Sequence, residues 1–279
     1  TGGFPAPAFV ENVRSQNLHA KSAPDMVIFT PNEWRSQADR LAGFHREDAA
    51  EKLDVLVLTP QQIYNEFSSG CPDAQAFRKL LKMFYDRGNA GSGKKLKYAL
   101  FFSRPTYDPR LHTAKIRALG YPMLPAWFTD RGLNDNNSYT TDDIFSFLED
   151  GSGVNTSNDY LSIAVGRIPA TSAADAKTAV DKIISYAGRQ PKGIWRNTIL
   201  LTADDGDNGI HMEDIEKMAH SVERVDNGSH SFFKKVYIDE FELIGGQYPD
   251  ARTRFYRHLD EGAMLWVYQG HAAPSSLTA

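Results

Sequence analysis

Short, unbroken apolar runs alternate with amphipathic stretches along this chain. Residues 26–30 form one such run, stopped by Pro31, and 33–47 then carries apolar side chains at helical spacing. A second run, 53–58, closes at Pro60. Asp73 reads as the cap of a helix that sets Phe77, Leu80, Leu81 and Phe84 on one face ahead of Gly88. Gly91-Ser92-Gly93 reads as a loop and 96–102 as a third strand. Runs without polar alternation mark parallel strands, whose two faces are both covered by the helices that connect them.

The middle of the chain, 134–157, is rich in Asn, Asp, Ser, Thr and Gly and reads as a long surface connection with one short aromatic helix at 144–148. A strand is predicted over 161–168, running into Gly166-Arg167-Ile168-Pro169. Ser172 caps a helix in which Ala176, Ala179, Val180, Ile183, Ile184 and Ala187 recur at i, i+3, i+4, i+7, i+8 and i+11, a stripe that packs on a sheet. After Pro191 the pattern restarts. Strands are predicted over 198–202, 235–238 and 263–268, with helices over 212–225 and 250–260. The expectation is an α/β fold of mostly parallel sheets flanked by helices. It comprises a lead-in over 1–24, a first subdomain over 25–190 and a second over 191–279, with no tandem repeat.

Composition narrows the class. Of 279 residues, 41% are hydrophobic and 24% charged, the balance of a globular chain with a core of ordinary size. A net charge of −4 offers no basic surface for a phosphate backbone, so no nucleic-acid partner is expected. The single cysteine, Cys71, excludes an internal disulfide. No apolar run approaches the roughly 20 residues of a membrane span. A start at Thr1 without Met or leader reads as a processed or trimmed chain.

In open parallel sheets, chemistry gathers at the carboxyl ends of strands, near a reversal of strand order. Three ends in the second half qualify: 200–203 running into Asp204-Asp205-Gly206-Asp207, 237–238 running into Asp239-Glu240, and 265–268 running into Gln269-Gly270-His271. His271 is the strongest candidate, because Gly270 lets a ligand approach the backbone and an imidazole moves protons near neutrality. By spacing alone, a surface loop histidine without a task fits as well. The acidic loop Asp204–Asp207 reads in three ways: it orients a histidine, binds a cation, or caps the following helix. Ile210 stands where an EF-hand needs glycine, which argues against that motif. His211 starts the helix beside this loop, as a pocket residue or a solvated first-turn one. Cys71 precedes a helix, which lowers a thiol pKa, but it belongs to the other half of the chain from His271.

Several stretches together resemble the gingipain-type cysteine peptidases. These are Ile163-Ala164-Val165-Gly166-Arg167-Ile168-Pro169 with the helix through Val180-Asp181-Lys182-Ile183-Ile184, then Ala203-Asp204-Asp205 with His211, Gly245-Gly246-Gln247-Tyr248-Pro249 and Tyr268-Gln269-Gly270-His271. In the first half, Glu66-Phe67-Ser68-Ser69-Gly70, Lys82-Met83-Phe84-Tyr85-Asp86-Arg87 and the stretch from Tyr139 to Phe147 with Thr141-Asp142-Asp143 are similar to the type IX secretion sortases of that family.

The resemblance implies two caspase-like α/β subdomains with the active site in the second. It implies His271 as catalytic histidine, Asp204 as the acid that orients it, the Ala272 N–H as an oxyanion donor, and His211 and Glu213 in the primary specificity pocket. The nucleophilic cysteine is expected some tens of residues past Ala279, so these 279 residues alone are expected to be inactive. Two local departures stand out: Ala272-Ala273 replaces glycine after the histidine, and Ser103-Arg104-Pro105 replaces a Gly-Asp-Gly. The resemblance further implies a surface endopeptidase that removes C-terminal sorting domains from secreted cargo and passes the cleaved chain to an anionic lipopolysaccharide. Its location would be the extracellular face of the outer membrane, with other secretion-system outer-membrane components as partners. No cofactor is needed for that chemistry, no metal ligands are assigned, and there is room for a structural calcium ion. The rival readings are a non-catalytic pseudo-peptidase that binds cargo and a metal-dependent hydrolase built on Asp204, Asp205 and Asp207.

Overall fold

The computed structural model describes residues 8–9, 12–47, 50–91, 93–106, 108–128, 140–154, 158–188, 192–226, 230–273 and 276–277. Parts of the expected lead-in (1–7, 10–11), of the Gly91–Gly93 loop (92) and of the polar connection (134–139, 155–157) lie outside these residues. The chain divides into two compact units, Thr1–Arg189 and Gln190–Ala279.

In the first unit, β1 (Met26–Phe29), β2 (Val55–Leu58), β3 (Tyr98–Phe102) and β4 (Ala164–Ile168) form a parallel sheet in the order β2-β1-β3-β4. Its longer helices are α1 (Arg35–Glu47), α2 (Pro60–Phe67), α3 (Ala74–Ala90) and α4 (Ala173–Gly188). The pleat sends alternate side chains of β1 to opposite faces. Val27 and Phe29 pack with Phe77, Leu80 and Phe84 of α3, whereas Met26 and Ile28 pack with Leu41 of α1 and Val180 of α4. Asp73 caps α3 by accepting the Gln75 N–H at 2.9 Å. Ser172 does the same for α4 with the Asp175 N–H at 3.1 Å.

Two local expectations need correction, and one helix was not expected. Residues 60–67 form α2, a helix that Pro60 opens rather than prevents, since proline is tolerated where the first N–H would be unpaired anyway. The short aromatic helix expected at 144–148 is a 3-10 turn over Asp143–Phe145, and it is buried rather than on the surface. Ile144, Phe145, Phe147 and Leu148 enter the core, with the Phe145 ring 4.6 Å from that of Phe101. Four apolar side chains gain more from burial, about 1.5–3 kcal/mol each, than the polar flanks lose. In the second unit, the strand expected over 235–238 begins three residues earlier and ends at Tyr237.

The first-half stretches that carry the family resemblance hold the fold together through hydrogen bonds. Glu66 of α2 accepts the Leu18 N–H at 2.8 Å, the His19 N–H at 3.2 Å and the Gln16 amide at 2.8 Å. Arg87 of α3 donates to the carbonyls of His19 and Lys21, each at 2.6 Å. The lead-in is therefore held by its donors at one helix and by its acceptors at another. Arg167 of β4 forms a bidentate pair with Asp142 at 2.7 Å and donates to the carbonyls of Ser103 and Pro125 at 3.0 Å.

The second unit has β5 (Thr198–Ala203), β6 (Phe232–Tyr237) and β7 (Leu265–Gln269), all parallel, in the order β6-β5-β7. Helix α5 (Ile210–Asp226) connects β5 to β6, and α6 (Pro249–Glu261) connects β6 to β7. Ile199, Leu201 and Ala203 pack with Ile215 and Ala219 of α5, while Leu200 and Val236 pack with Ala251 and Phe255 of α6. Glu216 of α5 ties the helix to β6 by accepting from Lys235 at 2.6 Å and from the Tyr237 hydroxyl. Among the described residues, no helix is long and apolar enough to cross a membrane.

Candidate active site

Strand β5 is buried along its whole length and ends at Ala203. The ladder extends one step further, the Asp204 N–H donating to Gln269 O at 2.9 Å. Because the chain winds from β5 to β6 on one side and back to β7 on the other, strand order reverses between β5 and β7. Their carboxyl ends border the crevice where open parallel sheets hold ligands. Asp204 and His271 emerge there.

Gly270 makes that approach sterically feasible. A Cβ at this position would lie 2.2 Å from Asp204 Cβ and 2.7 Å from the Tyr268 hydroxyl oxygen. With glycine, the Asp204 carboxylate, 6% exposed, sits under the turn and accepts the His271 main-chain N–H at 3.1 Å and the Asp205 N–H at 3.1 Å. The Tyr268 hydroxyl closes the same turn by donating to His271 O. The His271 side chain itself is 66% exposed, open to a substrate.

After Asp205 the chain makes four consecutive left-handed steps, with φ of 79° at Gly206, 44° at Asp207, 57° at Asn208 and 79° at Gly209. Glycine, asparagine and aspartate enter that region at the least steric expense. The polar composition of this loop is thus explained by the turn that delivers α5. Its three aspartates do not converge. Asp204 lies under the His271 turn, and Asp205 accepts from the Tyr248 hydroxyl at 2.5 Å. Asp207 Oδ2 lies 3.2 Å from Nε2 of both His211 and His271. The hydrogen bond to Asp205, then desolvation, pushes the Tyr248 hydroxyl up to about 12.

His211, in the first turn of α5, meets His271 edge to face with ring centroids 5.1 Å apart. Among the described residues, Asp204, His211 and His271 form a cluster whose ligand atoms all lie within 4.8 Å of one another. Glu213 is exposed on the same first turn and outside that cluster. Ala272 follows His271 directly and pairs with Leu277 in a two-residue antiparallel ladder. A cavity of 570 Å³ opens on the α6 side of the sheet, lined by Thr202, Val236, Tyr248, Phe255, Trp266 and Tyr268. Cys71 belongs to the first unit, where its exposed Sγ lies 3.1 Å from Arg110 Nη2. Sequence reasoning did not single out Asp207 as the carboxylate facing both imidazoles, nor Tyr248 and Tyr268 as its neighbours' partners. Both tyrosines stand inside the stretches quoted for the family resemblance, which was the signal to follow.

Residues 19–279 match the model of Peptidase family C25. Among solved structures, dimeric latent PorU from Porphyromonas gingivalis is similar at 37% identity and a TM-score of 0.54, over 62% of this chain and 16% of that one. The Arg-specific cysteine proteinase gingipain R is similar at 16% identity and a TM-score of 0.59, over 94% of this chain and 50% of that one. The complex of RgpB pro- and mature domains from Porphyromonas gingivalis gives 17% identity and a TM-score of 0.56, over 90% and 49%. This chain therefore spans 16% of PorU and about half of the gingipain chains. No functionally curated protein matches. The two gingipain likenesses concern the fold, which is the caspase-like α/β fold with mostly parallel sheets.

Proposed function

Since the chain belongs to peptidase family C25, the gingipain family of cysteine peptidases, we propose that it carries the base-bearing part of a cysteine endopeptidase with His271 as the general base. The observation that carries this reading is the pairing of a buried Asp204 with an exposed His271 across the reversal point of the second sheet. In this reading a cysteine on the chain beyond Ala279 gives its thiol proton to the His271 imidazole, and the thiolate attacks the scissile carbonyl carbon. The tetrahedral oxyanion is received by main-chain N–H groups that include Ala272. As the C–N bond breaks, the leaving amine takes the proton back from His271 and an acyl-enzyme remains. Water hydrolyses it, or an amine captures it. Asp204 fixes the turn that presents the imidazole, and His211 and Glu213 border the side-chain pocket of the cleaved residue.

The likeness to PorU at 37% identity supports a sorting role: removal of C-terminal sorting domains from secreted cargo at the extracellular face of the outer membrane, beside other secretion-system components. A thiol-reactive peptide probe on the longer natural chain tests the base assignment. Labelling should map to one downstream cysteine and fall sharply in His271→Ala. Labelling indifferent to His271, or absent, would instead favour a cargo-binding pseudo-peptidase.

A further inference from the structure

The His211 imidazole has no task in the chemistry above beyond lining a pocket, yet its surroundings are unusual. Both ring nitrogens are buried, and neither makes a hydrogen bond among the described residues. Nε2 is 3.2 Å from Asp207 Oδ2, near enough for attraction but off line for a hydrogen bond. A buried imidazole left in that state calls for a ligand, because buried polar atoms in native proteins almost always have a partner.

Two further donors stand beside it. The ligand atoms of His211, His271 and the Asp204 carboxylate lie within 4.8 Å of one another. Three ligands about 2.0–2.2 Å from a tetrahedral ion would be separated by roughly 3.3–3.6 Å, so closing the site needs movements on the order of an ångström. The exposed His271 side chain has room to make them. Two of the three ligands are fixed by the fold: Asp204 by the end of β5 and His211 by the first turn of α5. The third, His271, is 66% exposed and provides the entry path. Asp207 Oδ2, 3.2 Å from Nε2 of both rings, adds negative charge beside the two imidazoles.

From this arrangement we infer that Asp204, His211 and His271 form a three-ligand site for a zinc-class divalent transition metal, with the fourth position open to solvent. Two imidazole nitrogens and one carboxylate oxygen match zinc and its neighbours, whereas calcium and magnesium demand shells built from oxygen. The site is distinct from any built on the three aspartates of the loop, which point to different partners. Its consequence rests on the proposed role of His271: an imidazole nitrogen coordinated to an ion cannot also accept the thiol proton. Metal occupancy and peptidase activity therefore exclude each other, and a chelator restores the base.

Binding is tested without reference to activity. Cobalt(II) titrated into the full chain should give visible d–d absorption of a four-coordinate centre, saturating at one ion per chain and lost when zinc is added. Asp204→Asn and His211→Ala should each weaken binding about tenfold or more, with the far-ultraviolet circular dichroism unchanged. His211→Gln, which retains the bulk of the side chain, should do the same if His211→Ala perturbs folding. His220→Ala, on the exposed face of α5, should leave the titration as it is. Absence of d–d bands overturns the site, as do bands of unchanged affinity in both His211 variants. A failed titration leaves His271 intact as the proposed base, and a dispensable His271 in cargo cleavage leaves the metal site intact, so the two ideas fail separately.

Discussion

The two units wind their first three strands identically, with the first strand central and the second and third on either side. They treat the resulting crevice in opposite ways. In the first unit, β1 and β3 lead into Thr30 and Ser103, both 0% exposed. The Ser103 hydroxyl donates to Pro122 O at 2.8 Å, and Arg167 occupies the neighbourhood with its pair to Asp142 and its bonds to the Ser103 and Pro125 carbonyls. The Thr30 hydroxyl, bonded to Pro31 O at 3.1 Å, completes a set of polar groups satisfied within the fold. In the second unit, the corresponding strand ends lead into a buried carboxylate and an exposed imidazole, with a second imidazole beside them. One topology therefore carries a structural plug in one unit and, in the other, the crevice proposed as the active site, where the strand ends bring a buried carboxylate and a solvent-exposed imidazole.

The contrast can be broken at its structural end first. Replacing Arg167 by Ala strands Asp142 and frees two carbonyls in a well-buried setting. The expected loss is about 2–4 kcal/mol, somewhat below the roughly 3–5 kcal/mol of fully buried pairs because Asp142 retains some solvent access. Urea unfolding followed by far-ultraviolet circular dichroism would measure it, and a loss below about 1 kcal/mol would mean that the first crevice is not plugged in this way.

At the reactive end, Gly270→Ala forces a Cβ to within 2.2 Å of Asp204 Cβ. The turn has to move, with an expected loss of about 1–3 kcal/mol and displacement of His271. A melting temperature equal to that of the parent would show that the close approach is not required.

A smaller effect sharpens the picture of how α5 is held against the sheet. Partial burial tends to raise the Glu216 carboxyl, but Lys235 and Tyr237 outweigh it and hold its pKa below the ordinary carboxylate range. A carboxylate with a lowered pKa stabilises the fold above its unfolded value, and that contribution fades as pH falls through the folded one. The parent should therefore lose more stability than Glu216→Gln as pH drops below about 4.5. At neutral pH the variant should be weaker by roughly 1–2 kcal/mol after allowance for solvent screening. Parallel melting curves across that acid range would reveal it. Least affected of all should be Cys71→Ser, an exposed position in the first unit, with a change within about 0.5 kcal/mol in the same unfolding measurement.

Much of the fold was legible in the sequence. The strands read correctly because parallel strands are buried on both faces and appear as plain apolar runs, as at Val55–Leu58 and Thr198–Ala203. The strand-end rule pointed to three strand ends, and the structure brings two of them together, those carrying Asp204 and His271, 67 positions apart. Helix α2 escaped notice because it is short and follows a proline, with Ile63 and Tyr64 as its buried anchors. The burial of Phe145 and the Arg167–Asp142 pair were hidden for another reason. Both depend on which strands lie side by side, a property that local periodicity does not carry. The left-handed run over Gly206–Gly209 was visible as composition but was read as acidity rather than as backbone conformation.

The central claim is that the second crevice is chemical where the first is structural. Its most direct test is kcat/KM for a peptide substrate of the longer natural protein carrying His271→Ala, with the melting temperature taken on the same sample. The account predicts a fall of about 10³-fold, within the range for loss of a general base, and a melting temperature unchanged to within about 2 °C. Cleavage at the parental rate by a folded His271→Ala protein would contradict it.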